Sequence, residues 1–319
     1  MLKIPPVKIV PDSNNVPSCT DDTIASVAKW LGLESRAMFA RMWTFKLQND
    51  SPVPKSLLER VEMPRPSLEF LDKIHGLSVR FVSRPDDRSD EDKLLAVIEW
   101  QMNNDMPVLV EMDGFYCPWT PLFQQNHLLH SCLLLGFDRA MDEITLMDAF
   151  FNEHCIVLSW NEFQAACGSY GIFDHTARAH STVHWRELLV ISLGNEGGLS
   201  QLRQTYDDLY RFTDLYADQG FHPNCTELPG ILTLLQFIHN RRRYASFLQY
   251  LHEMSSSPLL NESAERMLQI ISNWDAIWIQ WIKIAKTGNK ASSRTKLTGF
   301  MLQAIRSEEE TLQRLVNLI

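Results

Sequence analysis

The chain has 319 residues, of which 45% are hydrophobic and 10% aromatic, a composition that supports packed cores and argues against intrinsic disorder. The length predicts two domains, and the formal net charge of −9 gives no support to non-specific nucleic-acid binding. Prolines interrupt the start of the chain where a signal peptide needs an apolar run, and no apolar run reaches the length of a membrane span. We therefore expect a cytoplasmic protein without membrane contact.

The cysteines form no C-x-x-C pair and follow no regular spacing. A disulfide framework or a zinc knuckle would need such a pattern, so we expect reduced thiols. His154, His175, His180 and His184 also lack the spacing of metal ligands, and we expect neither a metal nor another bound cofactor. The six cysteines are Cys19, Cys117, Cys132, Cys155, Cys167 and Cys225.

The N-terminal part of the chain predicts a helix that begins close to Cys19. Residues 1–18 are polar and interrupted by proline, which indicates a loop. From Asp21 to Leu31 the apolar residues follow helical spacing, and Gly32 supplies a stop. Further along, the patterns predict helical or irregular structure at 36–75, a strand at Leu77–Val82 and a helix at Asp87–Asn103.

The middle of the chain predicts β-structure. Two apolar segments, His130–Gly136 and Ile144–Met147, are joined by a charged turn, which indicates a β-hairpin. Another strand is predicted at 107–112, before the loop D-G-F-Y-C-P-W-T-P-L-F, and a last strand at Glu187–Leu193. The stretch G-N-E-G-G at 194–198 is the predicted linker.

Beyond the linker, apolar residues recur every three or four positions, which predicts an all-helical bundle. The fold class predicted for the whole chain is α+β, with a catalytic domain over 1–195 and a helical domain over 196–319. The densest basic cluster, Arg241–Arg243, predicts either a solvated helix face or a docking surface for an acidic partner. The helices are predicted at 199–218, 231–254, 263–286 and 295–318.

Three residue settings carry the predicted chemistry. Cys19 heads a helix, where the backbone amide dipoles favour a thiolate. His130 opens a strand and can take the thiol proton, while Asp148 closes the next strand, where a carboxylate can orient the imidazole. Their order predicts a papain-like Cys-His-Asp catalytic site. Asp21 and Asp22 would disfavour the thiolate if they face the sulfur, and the sequence leaves their direction open.

Residues close to the predicted base are candidates for binding the second substrate. His127 lies three residues before His130 and is the alternative base or an acceptor contact. The loop that contains Asp113, Tyr116 and Trp119 joins a carboxylate to two large aromatic side chains, which suits an amine through charge and cation–π contact. We predict that these four residues line an acceptor pocket, with ordinary loop packing as the alternative.

The first ~195 residues resemble the N-terminal domain of the BtrH family, a relative of papain-like and bacteriocin-leader peptidases. The similar stretches are Cys19 with its helix, the segment Met38–Lys46, P-V-L-V-E-M-D-G-F-Y-C-P-W, and H-S-C-L-L-L-G-F-D with L-M-D-A-F. The helical C-terminal half fits the two-domain layout of that family.

The resemblance implies an acyltransferase of natural-product biosynthesis that uses an acyl-cysteine intermediate. Its donor would be an acyl or peptidyl thioester on the phosphopantetheine of a carrier protein, and its acceptor an amine-bearing small molecule. An amine on the acyl group itself would give intramolecular cyclisation instead. No nucleic-acid or membrane partner is implied, and the sequence leaves a homodimer open.

The chain departs from papain-like peptidases at the oxyanion site. Those enzymes usually carry a glutamine five or six residues before the nucleophile, where this chain has Asn14 and Ser13. The oxyanion would then be bound by the backbone N–H of Cys19, with Asn14 or Asn15. Losing one such donor commonly costs about 3 kcal/mol of transition-state stabilisation. An activated thioester tolerates that loss better than a peptide bond, which favours acyl transfer over proteolysis.

Two alternatives from other classes stay open at this stage. The same residues could serve a cysteine peptidase or a thioester hydrolase that uses water. A catalytically silent binding module would keep the fold without a reactive Cys19.

Overall fold

The structure is a computed structural model, and it describes residues 1–7, 19–44, 46–47, 61–62, 64, 66–85, 87, 89–151, 153–176, 183–194, 229–287 and 291–319. It belongs to the α+β class, as predicted, with helices and an antiparallel sheet. The described helices include none that is both long enough and apolar enough to cross a lipid bilayer.

A six-stranded antiparallel sheet forms the centre of the N-terminal unit, and its strands lie in the order β3-β8-β4-β5-β6-β7. The predicted hairpin is confirmed, since β5 pairs with β6 in antiparallel register. The strands are β3 (Leu77–Ser83), β4 (Val108–Asp113), β5 (Leu129–Asp138), β6 (Glu143–Asp148), β7 (Glu153–Ser159) and β8 (Cys167–His175), and the short strands β1 (Lys46–Leu47) and β2 (Val61–Glu62) form a separate pair.

Helices cover this sheet because its central strands are apolar on both faces. Every residue of β5 from His130 to Gly136 is buried, as expected for a strand between two layers. One face packs in a core that includes Leu94 and Ile98 of a helix at Glu91–Asn103. The α-helices within the described residues are α1 (Cys19–Trp30), α2 (Leu68–His75), α3 (Glu91–Asn103), α4 (Trp160–Ala166), α5 (Trp185–Leu193), α6 (Pro229–Ser255), α7 (Pro258–Thr287) and α8 (Ala291–Val316).

Helix α1 confirms the prediction of a helix at the first cysteine. It begins at Cys19 and ends at Trp30, and Gly32 follows with a φ of 73°, a backbone conformation that favours glycine. Ile24, Val27 and Ala28 are buried, so the predicted apolar face is the face that packs. The first turn is tied to the sheet, because the hydroxyls of Thr20 and Ser131 lie 2.7 Å apart.

The predicted strand at Glu187–Leu193 is wrong, because these residues belong to helix α5. Four of its residues, Leu188, Leu189, Ser192 and Leu193, are buried at helical spacing. In sequence they lie in or next to the short apolar run 188–191. Such a run does not distinguish a strand from a buried helix. The His184 side chain accepts a hydrogen bond from the backbone of Arg186 and caps the helix.

The chain divides into two compact units by its backbone contacts. One comprises Met1–Ser35 and Leu68–Ser181, and the other comprises Arg36–Ser67 and Thr182–Ile319. The second unit thus includes a segment from the N-terminal half of the chain. The domain boundary expected at 195 and 196 stays a prediction, and the linker residues 195–198 lie outside the described part.

Three long helices account for most of the described residues of the second unit. Helices α6, α7 and α8 confirm the predictions at 231–254, 263–286 and 295–318, and the predicted helix at 199–218 lies outside the described residues. Helix α7 packs between α6 and α8 in this unit. The arrangement agrees with the predicted helical bundle.

The structure corrects the predicted basic surface at Arg241–Arg243. The Arg241 guanidinium is fully buried and bonds both carboxylate oxygens of Glu308, at 3.0 and 2.9 Å. Arg243 is also buried and donates to Asn240. Only Arg242 of the three is partly exposed, and it lies 3.6 Å from Asp275. The cluster is therefore not an open electropositive patch for an acidic partner.

We predict that Glu308→Gln destabilises the protein far more than Asp275→Asn. The first change leaves the buried Arg241 charge without its carboxylate, a loss of about 3–5 kcal/mol, whereas an exposed pair contributes about 0–1 kcal/mol. The free energy of unfolding should be measured for both variants by urea denaturation. Equal effects of the two changes would contradict the assigned role of the buried pair.

Candidate active site

His130 and Asp148 form a buried hydrogen-bonded pair. His130 is the second residue of β5 and Asp148 is the last residue of β6, and the pairing of these strands brings both side chains together. The His130 Nε2 and the Asp148 Oδ2 lie 2.5 Å apart. His130 is 2% exposed and Asp148 is not exposed at all. The predicted base and its predicted orienting carboxylate are therefore adjacent.

The Asp148 carboxylate is held by three further donors. Its Oδ2 also accepts a hydrogen bond of 2.8 Å from the indole Nε1 of Trp119. Its Oδ1 accepts the backbone N–H groups of Phe150 and Phe151, at 3.0 and 3.1 Å. A carboxylate surrounded by donors accepts from all of them, so the His130 Nε2 carries a hydrogen toward Asp148. The imidazole then keeps Nδ1 for a different partner.

The thiol of Cys19 is the candidate partner of the His130 Nδ1. Cys19 is the first residue of α1 and is buried at 7% exposure, and its side chain interacts with the His130 imidazole. The backbone of this turn is fixed, because the Thr23 hydroxyl donates to the Cys19 carbonyl at 2.6 Å. The amide dipoles at the start of α1 favour a negative charge on the sulfur. Both Asp21 and Asp22 are buried in the same turn.

The surroundings of His130 favour its charged form. Burial by itself disfavours the imidazolium, but the hydrogen bond to Asp148 and the interactions with Cys132 and Cys19 outweigh it and raise the pKa of His130 well above its ordinary value. A protonated imidazole beside a thiol stabilises the thiolate by charge attraction. His130 is therefore suited to exchange a proton with a group that lies beside it.

A second thiol, Cys132, also lies beside His130, and no motif in the sequence marks it as functional. It follows His130 by two positions in β5, so both side chains lie on the same face of the sheet. Burial, more than any other cause, raises the pKa of Cys132 to about 11, and the residue is 0% exposed. A substrate carbonyl cannot reach a fully buried, protonated thiol. Of the two thiols, Cys19 is the one suited to nucleophilic attack.

The residues predicted to bind an acceptor occupy two different places. The Asp113 carboxylate lies 2.7 Å from the His127 Nδ1, and the ring of His127 stacks on Phe115 with 4.3 Å between centroids. Tyr116, 44% exposed, contacts the same ring edge-on. Trp119 instead directs its indole N–H to Asp148. His127 thus pairs with Asp113, while His130 pairs with the buried carboxylate.

Asn14 and Asn15, the predicted oxyanion ligands, lie outside the described residues.

A scan against models of known protein families finds none that matches the chain, and a search of curated proteins finds no relative. The geometry and chemistry of the site are therefore the basis for its interpretation.

We predict that His130 makes the stability of the protein depend on pH above neutrality. Its folded-state pKa is raised above the ordinary value of 6.5, so its stabilising effect is complete below that pH and declines as pH rises toward the folded-state pKa. Between about pH 6 and about pH 9, the unfolding free energy of wild type should fall relative to that of His130→Gln. Urea denaturation of both proteins across this range measures it. A constant difference between the two would show that the pKa of His130 is not raised.

Proposed function

We propose that the chain is a cysteine-dependent acyltransferase with a papain-like catalytic domain, similar to the BtrH family. Its donor is an acyl or peptidyl thioester on the phosphopantetheine of a carrier protein, and its acceptor is an amine. The observation that carries the proposal is the buried His130–Asp148 pair beside the first turn of α1, which begins at Cys19 and is joined to β5 by the hydroxyls of Thr20 and Ser131.

The arrangement of elements supports the papain-like assignment. Such a domain needs a helix that begins at the nucleophile and packs on an antiparallel sheet that supplies the base and its orienting partner. Here α1 packs on β5, and the neighbouring strands β5 and β6 carry the imidazole and the carboxylate. The interaction between Thr20 and Ser131 joins the helix to the strand one residue after each reactive side chain.

The acylation step uses the ion pair of Cys19 and His130. The thiolate attacks the thioester carbonyl and forms a carbon–sulfur bond, and the carbonyl oxygen takes the negative charge. The carbonyl then re-forms and the carbon–sulfur bond to phosphopantetheine breaks. His130 gives its proton to the departing thiolate. The products are an acyl-Cys19 enzyme, neutral His130 and the free carrier thiol.

The second step returns the enzyme to its starting state. The amine attacks the acyl-Cys19 carbonyl, the bond to sulfur breaks, and His130 takes the proton that the nitrogen loses. The amide leaves with Cys19 again a thiolate and His130 again an imidazolium. Asp148 orients the imidazole in both steps, because four hydrogen bonds hold its carboxyl group in place.

The acceptor amine is proposed to bind at the end of β4, close to Asp113. Met112 pairs with His130 across the sheet, so Asp113 is one residue beyond the predicted base, beside Leu129. The Asp113 side chain is 32% exposed and already holds the His127 ring. A carboxylate with a histidine and an exposed tyrosine beside it offers an ammonium group both a negative charge and an aromatic face.

We predict that a thioester donor acylates Cys19 and no other residue. The test uses wild type, Cys19→Ala and Cys132→Ser with an acyl-pantetheine thioester, and the adduct is located by mass spectrometry of peptides. Cys155 is exposed and reacts with general electrophiles, so Cys155→Ser and Cys225→Ser serve as the common background. Cys19→Ala should abolish the adduct, and Cys132→Ser should keep it. An adduct on Cys132 in the wild-type protein would overturn the assignment.

Adding amines to the acylated enzyme separates the reaction classes. Amide that forms only when an amine is present supports transfer. Release of free acid at the same rate with and without amine would identify a hydrolase instead. Absence of any adduct on Cys19 would indicate a silent binding module.

We predict that Asp113→Asn raises the acceptor KM about tenfold, because an amide replaces the negative charge that pairs with the ammonium group. Acylation of Cys19 should keep its wild-type rate. Asp138→Asn is the matched control, because that carboxylate accepts backbone N–H groups at the turn on the other end of β5. Steady-state kinetics with varied amine measures the effect. An unchanged acceptor KM in Asp113→Asn would exclude this residue from the acceptor site.

A further inference from the structure

Three residues of the site converge in a way that the acyl-transfer reaction does not require. One ligand atom each from His130, Cys132 and Asp148 lies within 4.8 Å of the other two, and all three residues are buried. The pairing of β5 with β6 produces this convergence, because Leu133 pairs with Met147 and so brings the preceding and following residues together. Among the described residues, this is the one group of histidine, cysteine and acidic side chains with such geometry.

The donor atoms identify the class of ion that would fit. An imidazole nitrogen, a thiolate sulfur and a carboxylate oxygen are the three ligand types that zinc uses in proteins. Magnesium and calcium prefer oxygen ligands throughout, so the sulfur of Cys132 disfavours them. Around a tetrahedral zinc ion, a sulfur and a nitrogen ligand lie about 3.6 Å apart. The ligand atoms lie within 4.8 Å of one another, so small side-chain rotations would bring the sulfur to that distance, and the 2.5 Å contact between the His130 Nε2 and the Asp148 Oδ2 would open to admit the ion.

We propose that His130, Cys132 and Asp148 form a zinc-binding site in which the thiolate of Cys132 is a ligand. Zinc binding forms bonds to the Cys132 sulfur, the His130 nitrogen and an Asp148 oxygen, and it releases to solvent the thiol proton and the proton of the ligating nitrogen. The site shares His130 and Asp148 with the proposed reaction, but zinc binding can be measured without that reaction. Its consequence, loss of acyl transfer when zinc holds the His130 imidazole, rests on the proposed function.

Replacing Cys132 distinguishes zinc binding from acyl transfer. Acyl transfer needs Cys19, His130 and Asp148, whereas the zinc site needs Cys132 and does not need Cys19. Serine at position 132 keeps nearly the same volume but replaces the soft sulfur with a poor zinc ligand. Cys155 is the matched control, because it is an exposed cysteine on β7 that is not part of the group.

The experiment measures metal binding to the full chain under reducing conditions, with a phosphine reductant so that no disulfide forms. Zinc affinity is determined by competition with a chromophoric chelator, and cobalt(II) is used as a spectroscopic probe of sulfur ligation. Wild type and Cys155→Ser should bind one equivalent of zinc with the same affinity. Cys132→Ser should bind at least tenfold more weakly and lose the thiolate-to-cobalt charge-transfer band.

A second variant tests the zinc site even if Cys132→Ser does not fold. The triple variant Cys19→Ser, Cys155→Ser, Cys225→Ser retains Cys132 and should keep both zinc binding and the cobalt band. It cannot form the acyl-cysteine, so a failure of the acyl-transfer proposal and a failure of the zinc proposal give different results. Wild type that binds no zinc, or a triple variant without the cobalt band, would overturn the site. Equal zinc affinity of folded Cys132→Ser and wild type would also overturn it.

Discussion

The site depends on the hydrogen bonds that surround the buried carboxylate of Asp148. An ionised carboxylate without exposure is strongly unfavourable unless donors surround it, and here four donors do so. The backbone donors come from the turn after β6, the indole from the loop after β4, and the imidazole from β5. Three separate segments are therefore positioned by one group. The orientation of His130 follows from this, since Nε2 is engaged and Nδ1 is the nitrogen that remains.

The position of Cys19 follows from a second, local constraint. Helix α1 could slide along the sheet if only its apolar face packed, because hydrophobic contact has no fixed direction. The interaction between the Thr20 and Ser131 hydroxyls prevents this, since it joins the first helical turn to the residue that follows His130. The thiol and the imidazole are thus brought together by neighbours in sequence. The same link places the positive end of the helix dipole at the site.

Local patterns were enough to predict the helix at Cys19, the β5–β6 hairpin, the three long C-terminal helices and the residues of the His130–Asp148 pair. Predictions failed where a short apolar run fits two structures or where the partner of a charged group lies far along the chain. The apolar run in α5 indicated a strand, although a cap by His184 and the turn at Gly194 bound a helix. The Arg241–Arg243 cluster indicated a surface, but its carboxylate partner, Glu308, lies 67 residues away. Such long-range pairs leave no signal in a local pattern.

Trp119 makes a contact at the site that its sequence setting did not indicate. Its indole N–H donates to the Asp148 carboxylate that orients His130, while its predicted contact with the acceptor stays a prediction. The reactive groups are largely enclosed by the described residues, with Cys19 at 7% exposure and His130 at 2%. These exposures do not by themselves distinguish a thioester substrate from a peptide. The distinction in the proposed function comes from chemistry: a thioester carbonyl is more activated than a peptide carbonyl, so it needs less help from oxyanion donors, and this is why acyl transfer is proposed rather than proteolysis.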